Sequence, residues 1–365
     1  MRRLCIASPF QRGGGAEYQI ACLIDVLSTL GRYEIHFLAH NHDSSGRHDG
    51  YALVPVGRNG RIPRLGYISD AWPLYRALRA VRPDVIYQRV AGGYTAICAH
   101  YARRHHRPMI WHVSSDSDVL KDTGFYGRNP LRRLAERWAI DYGARHATHI
   151  VTQTQSQAKY LQDSHGRSVA AIIPNFHPQP DERPDKSGPL TVLWIANLKP
   201  LKRPEVFVQL ASALADCAGV SFVMIGAMQF GGVVQAQGAR LAQAIDAATN
   251  LRYLGPLPQH EVNHWLAQSH LLVSTSYQEG FPNTFIQAWM REVPVVSLRV
   301  NPDNVMNPES TGVCVDTDSE LASAVRRLLA EPARLRRMGA GARDYALRQH
   351  SLANARRLVE LLDRD

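Results

Sequence analysis

The chain has 365 residues, of which 45% are hydrophobic and 20% are charged, and its net charge at pH 7 is +10. This length predicts two domains of ordinary size, and no apolar run approaches the roughly 18 residues that a membrane-spanning helix needs. The five cysteines have no metal-like spacing and the N-terminal apolar stretch is too short for a signal peptide. These features exclude a cysteine-rich zinc site and predict a cytoplasmic protein.

The positive charge is concentrated in the first half, because residues 1–185 carry +8 and residues 186–365 carry +2. This predicts that the first half faces an anion, either a phospholipid surface or a phosphorylated substrate, although arginine richness can also reflect genome base composition. Nucleic acid is not expected as a partner, because the basic residues are not interleaved with aromatic residues as in nucleic-acid-binding modules.

Short apolar runs alternate with helical patterns along the first half, which predicts a parallel α/β domain over residues 1–175. The predicted strands are 4–8, 34–39, 85–88, 108–112, 149–152 and 169–173. The predicted helices are 16–30, 70–82, 93–105, 130–145 and 154–163.

A proline-rich segment, 176–189, predicts a linker, because its composition gives it no face to bury. The predicted strands of a second domain, 190–344, are 190–195, 221–225, 251–254, 271–275, 293–297 and 312–315. Helices are expected near 319–331 and 342–363, and the C-terminal part, about 345–365, is expected to pack back on the first domain. The predicted fold class is α/β, with two doubly wound Rossmann-like domains facing each other across a cleft at the C-terminal ends of their strands.

A glycine-rich loop follows the first predicted strand and contains Gly13, Gly14 and Gly15. Such a loop exposes backbone N–H groups to an anion. It does not fit dinucleotide binding, because the order differs from GxGxxG and the second strand ends without an acidic residue.

Three cations lie between the first strand and the first helix of the second domain: Lys199, Lys202 and Arg203. A lysine in such a loop is a typical phosphate ligand. The alternative is a solvated basic turn.

The most informative segment is the loop that follows the strand at 271–275. Glu279 and Gly280 lie at the end of that strand, and Pro282 suits the start of a helix. The N–H groups and positive dipole end of that helix favour a phosphate, while the carboxylate binds hydroxyls. Together they predict a ligand with both groups, such as a nucleotide sugar.

These segments in this order resemble the retaining family 4-type glycosyltransferases with a GT-B fold. The residues that carry the resemblance are Gly-Gly-Gly-Ala-Glu17, Ile-Trp-His112, Ile-Pro-Asn175, Asn-Leu-Lys-Pro-Leu-Lys202 and Glu279-Gly-Phe-Pro-Asn. The resemblance covers nearly the whole chain.

The resemblance implies that Glu279 binds donor-sugar hydroxyls, that Lys202 binds the diphosphate, and that His112 acts from the first domain as a third catalytic residue. It further implies a donor sugar and diphosphate site formed by Gly14, Gly15, Asn197, Lys202, Glu279, Gly280, Phe281, Pro282 and Asn283. The implied nucleoside site contains Tyr253, Gly255, Leu257 and Gln287.

Two positions depart from the family pattern. Gln287 stands where a second glutamate accepts from the ribose hydroxyls, and Asn197 stands where arginine is common. The amide of Gln287 still offers one acceptor oxygen, so the expected loss there is about 1–3 kcal/mol of binding and not loss of function. At Asn197, the candidates to replace the missing arginine are Lys199 and Arg203.

The resemblance implies no metal and no cofactor, because cations and backbone amides stabilise the leaving diphosphate. Asp116-Ser-Asp118 matches the metal-binding DxD pattern of the other glycosyltransferase fold, but it lies in the acceptor-side half. We interpret these acids as surface residues or a helix cap.

A basic amphipathic helix is predicted around residues 126–138, with Leu131, Leu134 and Trp138 on one stripe. Its other face carries Arg128, Arg132, Arg133 and Arg137, and a second basic cluster occupies 103–107. Such a helix lies on anionic lipid, or it is an ordinary surface helix whose stripe packs in the core.

The expected function is therefore a retaining glycosyltransferase of cell-surface polysaccharide biosynthesis, peripheral on the inner face of the membrane. It is expected to move a sugar from a nucleoside diphosphate, with UDP favoured over GDP, to a lipid-linked glycan. The alternatives are a nucleotide-sugar epimerase or hydrolase on the same fold, or a non-catalytic subunit.

Overall fold

The structure is a computed structural model, and it describes residues 1–11, 14–42, 46–57, 70–120, 130–181, 184–230 and 235–364. Contacts divide the chain into two compact units. The first unit contains Met1–Pro178 and Leu352–Asp365, and the second contains Gln179–Ser351.

The first unit is built on an eight-stranded sheet with the order β3-β4-β2-β1-β5-β6-β7-β8. Seven strands run parallel, and β3 pairs antiparallel with β4. The strands are β1 Arg2–Ala7, β2 Tyr33–Ala39, β3 Gly46–His48, β4 Tyr51–Pro55, β5 Val85–Arg89, β6 Met109–His112, β7 His149–Thr152 and β8 Ala171–Ile172.

Helices cover both faces of this sheet, because its strands are apolar on both sides. In chain order they are α1 Gly15–Leu30, α2 Ala71–Val81, α3 Gly93–His105, α4 Pro130–His146 and α5 Gln155–His165, with α12 Ala353–Asp363 from the end of the chain. One core cluster joins α1 and α12 to the sheet, and the other joins α2, α3, α4 and α5 to it. The guanidinium of Arg2 also donates to the carbonyl of Leu362 over 3.0 Å.

The second unit has a parallel six-stranded sheet with the order β11-β10-β9-β12-β13-β14. The strands are β9 Leu190–Ile195, β10 Val220–Ile225, β11 Leu251–Tyr253, β12 Leu271–Ser274, β13 Val295–Leu298 and β14 Gly312–Val315. The helices are α6 Pro204–Ala213, α7 Gln235–Ala247, α8 Gln259–Gln268, α9 Asn283–Trp289, α10 Asp318–Leu329 and α11 Pro332–Gln349. Two buried clusters fill the two faces of the sheet.

The prediction of two parallel, Rossmann-like α/β domains is confirmed. The hairpin of β3 and β4 was not predicted, although the Asp49-Gly50 pair between the strands is a strong hairpin signal. Gly50 has φ of 82°, which glycine adopts without strain.

The single helix predicted over 342–363 is wrong. Two helices form instead, because α11 packs in the second unit and α12 packs in the first, so the chain leaves the helical path between Gln349 and Ala353. Within the described residues, no helix combines the length and apolarity that crossing a membrane requires.

Candidate functional site

In the second unit, the loops after β9 and β12 lie side by side. From β9 the chain builds outward through β10 and β11, and it then returns to place β12 on the other side of β9. In open α/β sheets, this reversal of strand order leaves a crevice at the carboxyl ends of the two strands, where ligands bind. The first of these loops carries Lys202 and the second carries Glu279.

Lys202 and Glu279 are in direct contact: the ammonium of Lys202 donates a hydrogen bond to Oε1 of Glu279. Their side chains are only 18% and 19% exposed, so the ion pair is partly desolvated and still reachable from solvent. The two residues with the strongest predicted roles in the donor site therefore occupy one place, although 77 positions separate them in the sequence.

Buried polar groups hold the Lys202 loop against the end of β12. The hydroxyl of Thr275 lies 2.7 Å from the carbonyl oxygen of Lys202 and accepts a hydrogen bond from the Trp194 indole over 2.9 Å. The backbone N–H of Tyr277 donates to the carbonyl of Leu201 over 2.9 Å. These bonds fix the backbone on which the ion pair is mounted.

The two other cations of the loop have different roles. Burial, and then the charge of Lys202, lower the pKa of Lys199, while the Glu279 carboxylate opposes this shift. Lys199 therefore lies in the same electrostatic environment as the ion pair. Arg203 turns away to the first residue of α10, where its Nη2 lies 3.1 Å from Asp318. Of these two cations, only Lys199 interacts electrostatically with both members of the pair, whereas Arg203 pairs with Asp318.

Asn197 braces a neighbouring loop, because its side-chain oxygen accepts from the backbone N–H of Ala227 over 3.4 Å. The adjacent Gly226 has φ of 149°, and a Cβ there would lie 1.7 Å from the carbonyl oxygen of Ala196. The loops after β9 and β10 therefore touch through their backbones, which requires a glycine at position 226.

The predicted nucleoside turn is attached to the same glycine. The hydroxyl of Tyr253 donates to the carbonyl of Gly226 over 2.8 Å, and the N–H of Gly226 donates to the carbonyl of Gly255 over 2.9 Å. Leu257 packs against the buried cluster that contains α9. The turn is thus held in place beside the loops that carry Asn197 and Lys202.

The residues after Glu279 mostly face the interior. Gly280 and Pro282 are buried, and the ring of Phe281 packs 6.1 Å from that of Trp289, so Phe281 has only backbone groups to offer a ligand. Asn283 begins α9, and Gln287 is 6% exposed on the same helix.

The first unit has its own reversal of strand order, between β1 and β5. Gly14 and Gly15 are exposed at the start of α1, whereas Gly13 lies outside the described residues. A Cβ on Gly14 would lie 2.5 Å from a carboxylate oxygen of Glu17, which is itself buried. The pKa of Glu17 is raised by burial, against the opposing charge of Arg89.

His112 ends β6 and is fully buried. Its Nδ1 lies 2.9 Å from the hydroxyl of Tyr87 and 3.2 Å from Nη1 of Arg89, and its Nε2 lies 3.3 Å from the carbonyl oxygen of Ile173. Burial and the adjacent Arg89 lower the pKa of His112 well below its usual value. Both ring nitrogens are therefore engaged by the protein itself, in the geometry of a packed neutral histidine.

Arg89 is the centre of this cluster and is 1% exposed. Its Nη1 donates to the hydroxyl of Tyr87 over 3.2 Å, and its Nη2 donates to Oδ1 of Asn175 over 2.5 Å. Asn175, singled out only by the resemblance, is thus a partner of this buried cation. The sequence prediction ended the strand at Gln88 and missed Arg89; an arginine closing the apolar run 85–89 was the available signal.

The Asp116-Ser-Asp118 motif forms a short 3-10 turn in which both carboxylates are used locally. Oδ2 of Asp118 accepts from the backbone N–H of Ser114 over 2.7 Å, and Oδ1 of Asp116 accepts from Gln157 over 2.9 Å. Oδ2 of Asp118 also accepts from the N–H of the N-cap residue Ser115 over 3.2 Å, so the interpretation of Asp118 as a cap is confirmed. The surface interpretation is wrong for Asp118, because its side chain is buried. Over the described ranges, histidine, cysteine and acidic residues form no group of three suited to a metal ion.

The amphipathic stripe of α4 points outward. Leu131, Leu134 and Trp138 are 72%, 67% and 63% exposed, so the interpretation that this stripe packs in the core is wrong. Small residues bury the opposite face instead: a Cβ on Gly143 would lie 2.5 Å from the Thr95 side chain of α3. The predicted residues 126 to 128, including Arg128, lie outside the described part of the chain.

Comparisons with known proteins agree with this architecture. The profile described as "Glycosyltransferase Family 4" matches residues 13–177, and the profile described as "Glycosyl transferases group 1" matches residues 189–331. Together they cover most of both units.

Two similar proteins are named D-inositol 3-phosphate glycosyltransferase. The one from Nocardiopsis dassonvillei is 23% identical over 85% of this chain and 78% of its own length. The one from Streptomyces bingchenggensis is 27% identical over 44% of this chain, a match that spans only 37% of that relative. Among solved structures, HepE from Anabaena in complex with UDP and glucose has a TM-score of 0.77 at 16% identity, with both chains fully covered.

Proposed function

The chain belongs to the family 4-type glycosyltransferases with the GT-B fold, and from this premise we propose that it transfers a sugar from a UDP-sugar to a lipid-linked glycan with retention of configuration. The observation that supports the donor site is the contact of Lys202 with Glu279 at the reversal of strand order in the second unit. UDP is the proposed nucleotide because the HepE structures contain UDP and UDP-glucose.

In this proposal the donor replaces the ion pair. The diphosphate accepts hydrogen bonds from the ammonium of Lys202, with Lys199 nearby, and the hydroxyls of the sugar donate to the carboxylate of Glu279. As the bond between the anomeric carbon and the phosphate oxygen breaks, negative charge grows on the diphosphate, and positioned cations stabilise that charge. The acceptor hydroxyl attacks the anomeric carbon from the face on which the diphosphate leaves, and it gives its proton to the departing phosphate oxygen.

A ligand-binding screen tests the donor site. We expect UDP and a UDP-sugar to raise the melting temperature of the protein, and GDP, ADP and their sugars to raise it less, because only bound ligands stabilise the folded state. In Lys202→Ala the shift with UDP should disappear. The matched control is Arg203→Ala, whose side chain faces Asp318, and it should keep the shift. Equal shifts with every nucleotide, or none, would contradict the proposal.

We propose in addition that the exposed stripe of α4 lies on the membrane that carries the acceptor. The stripe continues as a row of rings across three helices: Trp138 stacks on Tyr142 at 5.4 Å, Tyr142 lies 6.4 Å from His100, His100 lies 5.9 Å from Tyr75, and Tyr75 lies 6.5 Å from Trp72. Tryptophan and tyrosine are enriched at membrane–water interfaces, and arginine attracts anionic headgroups.

Vesicle co-sedimentation tests this surface. Leu134→Glu and Trp138→Ala should each lower binding to anionic vesicles by about tenfold, because each removes apolar area that enters the interface. Tyr160→Ser removes an exposed ring from α5 and should leave binding unchanged. Equal binding by all three variants would contradict membrane contact through α4.

A further inference from the structure

An arginine-lined cavity of about 270 Å³ lies at the edge of the first sheet opposite to the strand ends described above. Arg82 and Pro83 precede β5, Arg107 precedes β6, and Arg79 lies in the last turn of α2. The remaining wall is formed by Tyr101 and His105 of α3, whose rings lie 4.2 Å apart. Neither the donor site nor the α4 stripe uses this cavity.

The charge of the cavity is strongly positive. Arg107 lies 3.6 Å from Asp84, and the same carboxylate also lies 3.8 Å from Arg3. Within the described chain, Arg79 and Arg82 have no carboxylate partner, since no ion pair or hydrogen bond ties either side chain to an acid.

The negative dipole ends of the helices explain only part of the clustering of arginines at this cavity. The carboxyl ends of α2 and α3 each contribute about −0.5 charge, which attracts the arginine in the last turn of α2. Arg82 and Arg107 lie beyond those helices, in loops that converge on the cavity. Arg3, which shares Asp84 with Arg107, adds a fourth positive charge beside the three arginines of the cavity. Together with Asp84 and both helix ends, these four arginines leave the site with about +2.

The positive charges of the cavity also act on His105 in its wall. Partial desolvation, followed by the positive charges of Arg104, Arg79 and Arg107 and by His100, lowers the pKa of His105. Its Nε2 also lies 3.3 Å from the hydroxyl of Tyr75. His105 therefore reports any anion that enters, because an anion offsets the repulsion from the arginines.

We propose that this cavity binds a phosphate monoester. A phosphate dianion balances a site of about +2, and guanidinium groups bind phosphate oxygens in pairs through their fork of N–H donors. A volume of 270 Å³ equals that of about nine liquid water molecules, which leaves room for a small substituent of about glycerol size beside the phosphate. The ester is either a free metabolite or the headgroup of a lipid.

Calorimetric titration with sn-glycerol 3-phosphate at constant ionic strength tests the free ester, and NMR of the His105 ring reports the location. We expect saturable binding that shifts the His105 signals and raises the pKa of that ring. Arg79→Gln and Arg82→Gln should each weaken binding about tenfold, since each removes charge-assisted hydrogen bonds. Arg76→Gln removes the same charge from the same helix outside the cavity, and it should bind like the wild type.

A second arm tests the lipid source with vesicles of phosphatidylcholine containing phosphatidic acid. Loss of vesicle binding in the Arg79→Gln, Arg82→Gln double variant supports a lipid headgroup, and loss of glycerol 3-phosphate binding supports a free ester. The proposal is overturned if the double variant binds both probes as the wild type does, or if the NMR signals of the His105 ring do not shift with either probe. Both arginines are exposed, so the variants should fold. The result is independent of donor binding, which the Lys202 variant tests separately.

Discussion

Each unit places polar side chains near the reversal of strand order in its sheet, but the two units bury them to different extents. In the first unit, Arg89 and His112 are fully buried. The imidazole of His112 and the terminal guanidinium nitrogens of Arg89 have hydrogen-bond partners within the protein. In the second unit, Lys202 and Glu279 engage each other and remain about one-fifth exposed.

This difference predicts that a ligand enters the second site more readily than the first, while the catalytic role of His112 stays a prediction. A ligand at the first cluster would have to displace several internal hydrogen bonds around Arg89, whereas a ligand at the second displaces one ion pair. The same topology is therefore expected to support rigidity in one unit and ligand exchange in the other. Substitutions in the first cluster should act on stability, and substitutions in the second should act on turnover.

The largest effect is expected from Arg89→Leu. Removing the cation leaves the Tyr87 hydroxyl and the Asn175 side-chain oxygen without their donor, and it removes a positive charge that favours the buried Glu17 carboxylate. The free energy of unfolding should therefore fall by about 3–5 kcal/mol. Urea denaturation measures this loss. The exposed Arg76→Leu is the control and should change stability by less than about 0.5 kcal/mol. A similar small effect at Arg89 would mean that the cluster does not stabilise the unit.

Glu279→Ala and Lys202→Ala should each lower the turnover of sugar transfer at least about 100-fold while circular dichroism stays unchanged, because each removes a positioned charge from the site. Glu205→Ala changes an exposed acid in the first turn of α6 and should retain normal turnover. Wild-type rates in either site variant would refute the assignment of the site.

The buried His112 should make stability depend on pH. Its folded pKa is depressed, so below about pH 6.5 the unfolded chain binds a proton that the folded chain does not. Stability conferred by the neutral ring is complete above that pH and falls by about 1.4 kcal/mol per pH unit below it, until the folded pKa is reached. Urea titrations of wild type and His112→Gln should therefore converge on acidification. Parallel curves would show that His112 is protonated in the folded protein.

The smallest effect is expected from Gln287→Glu. The carbonyl of Gln287 accepts from the guanidinium of Arg291 over 3.2 Å, so a cation lies near a new carboxylate at this position. The variant should fold, stay active and change its affinity for UDP by less than about tenfold. An inactive but folded protein would show that position 287 does not face the ribose.

Much of the fold was predictable because the strands are short apolar runs between turn signals. Strands 149–152, 190–195 and 312–315 were predicted with the bounds that the structure shows. The exposed stripe of α4 was not predictable, since Leu131, Leu134 and Trp138 have the same spacing whether they face a core or solvent. That choice was decided by Gly143 and its small neighbours, which let α3 approach the other face.

The contact between Lys202 and Glu279 followed from loop positions, because both loops end strands of one sheet. The hydrogen bonds that hold these two loops in place could not be predicted from loop positions, because nothing in the sequence pairs the Trp194 indole with the hydroxyl of Thr275. The contacts of the buried His112 were likewise not predictable, because the side chains of Tyr87 and Arg89 reach it only once β5 and β6 pair. Side-chain networks across strands need the register, and the register comes from the assembled sheet.

The ion pair of the second unit has a consequence for selectivity. Any molecule that takes the ammonium of Lys202 leaves a partly desolvated carboxylate behind, and stranding such a charge costs free energy. Inorganic phosphate or pyrophosphate has few hydrogen-bond donors with which to compensate that carboxylate. A ligand that brings hydroxyl donors together with its phosphates binds both the ammonium and the carboxylate, so the ion pair should favour such a ligand over simple anions.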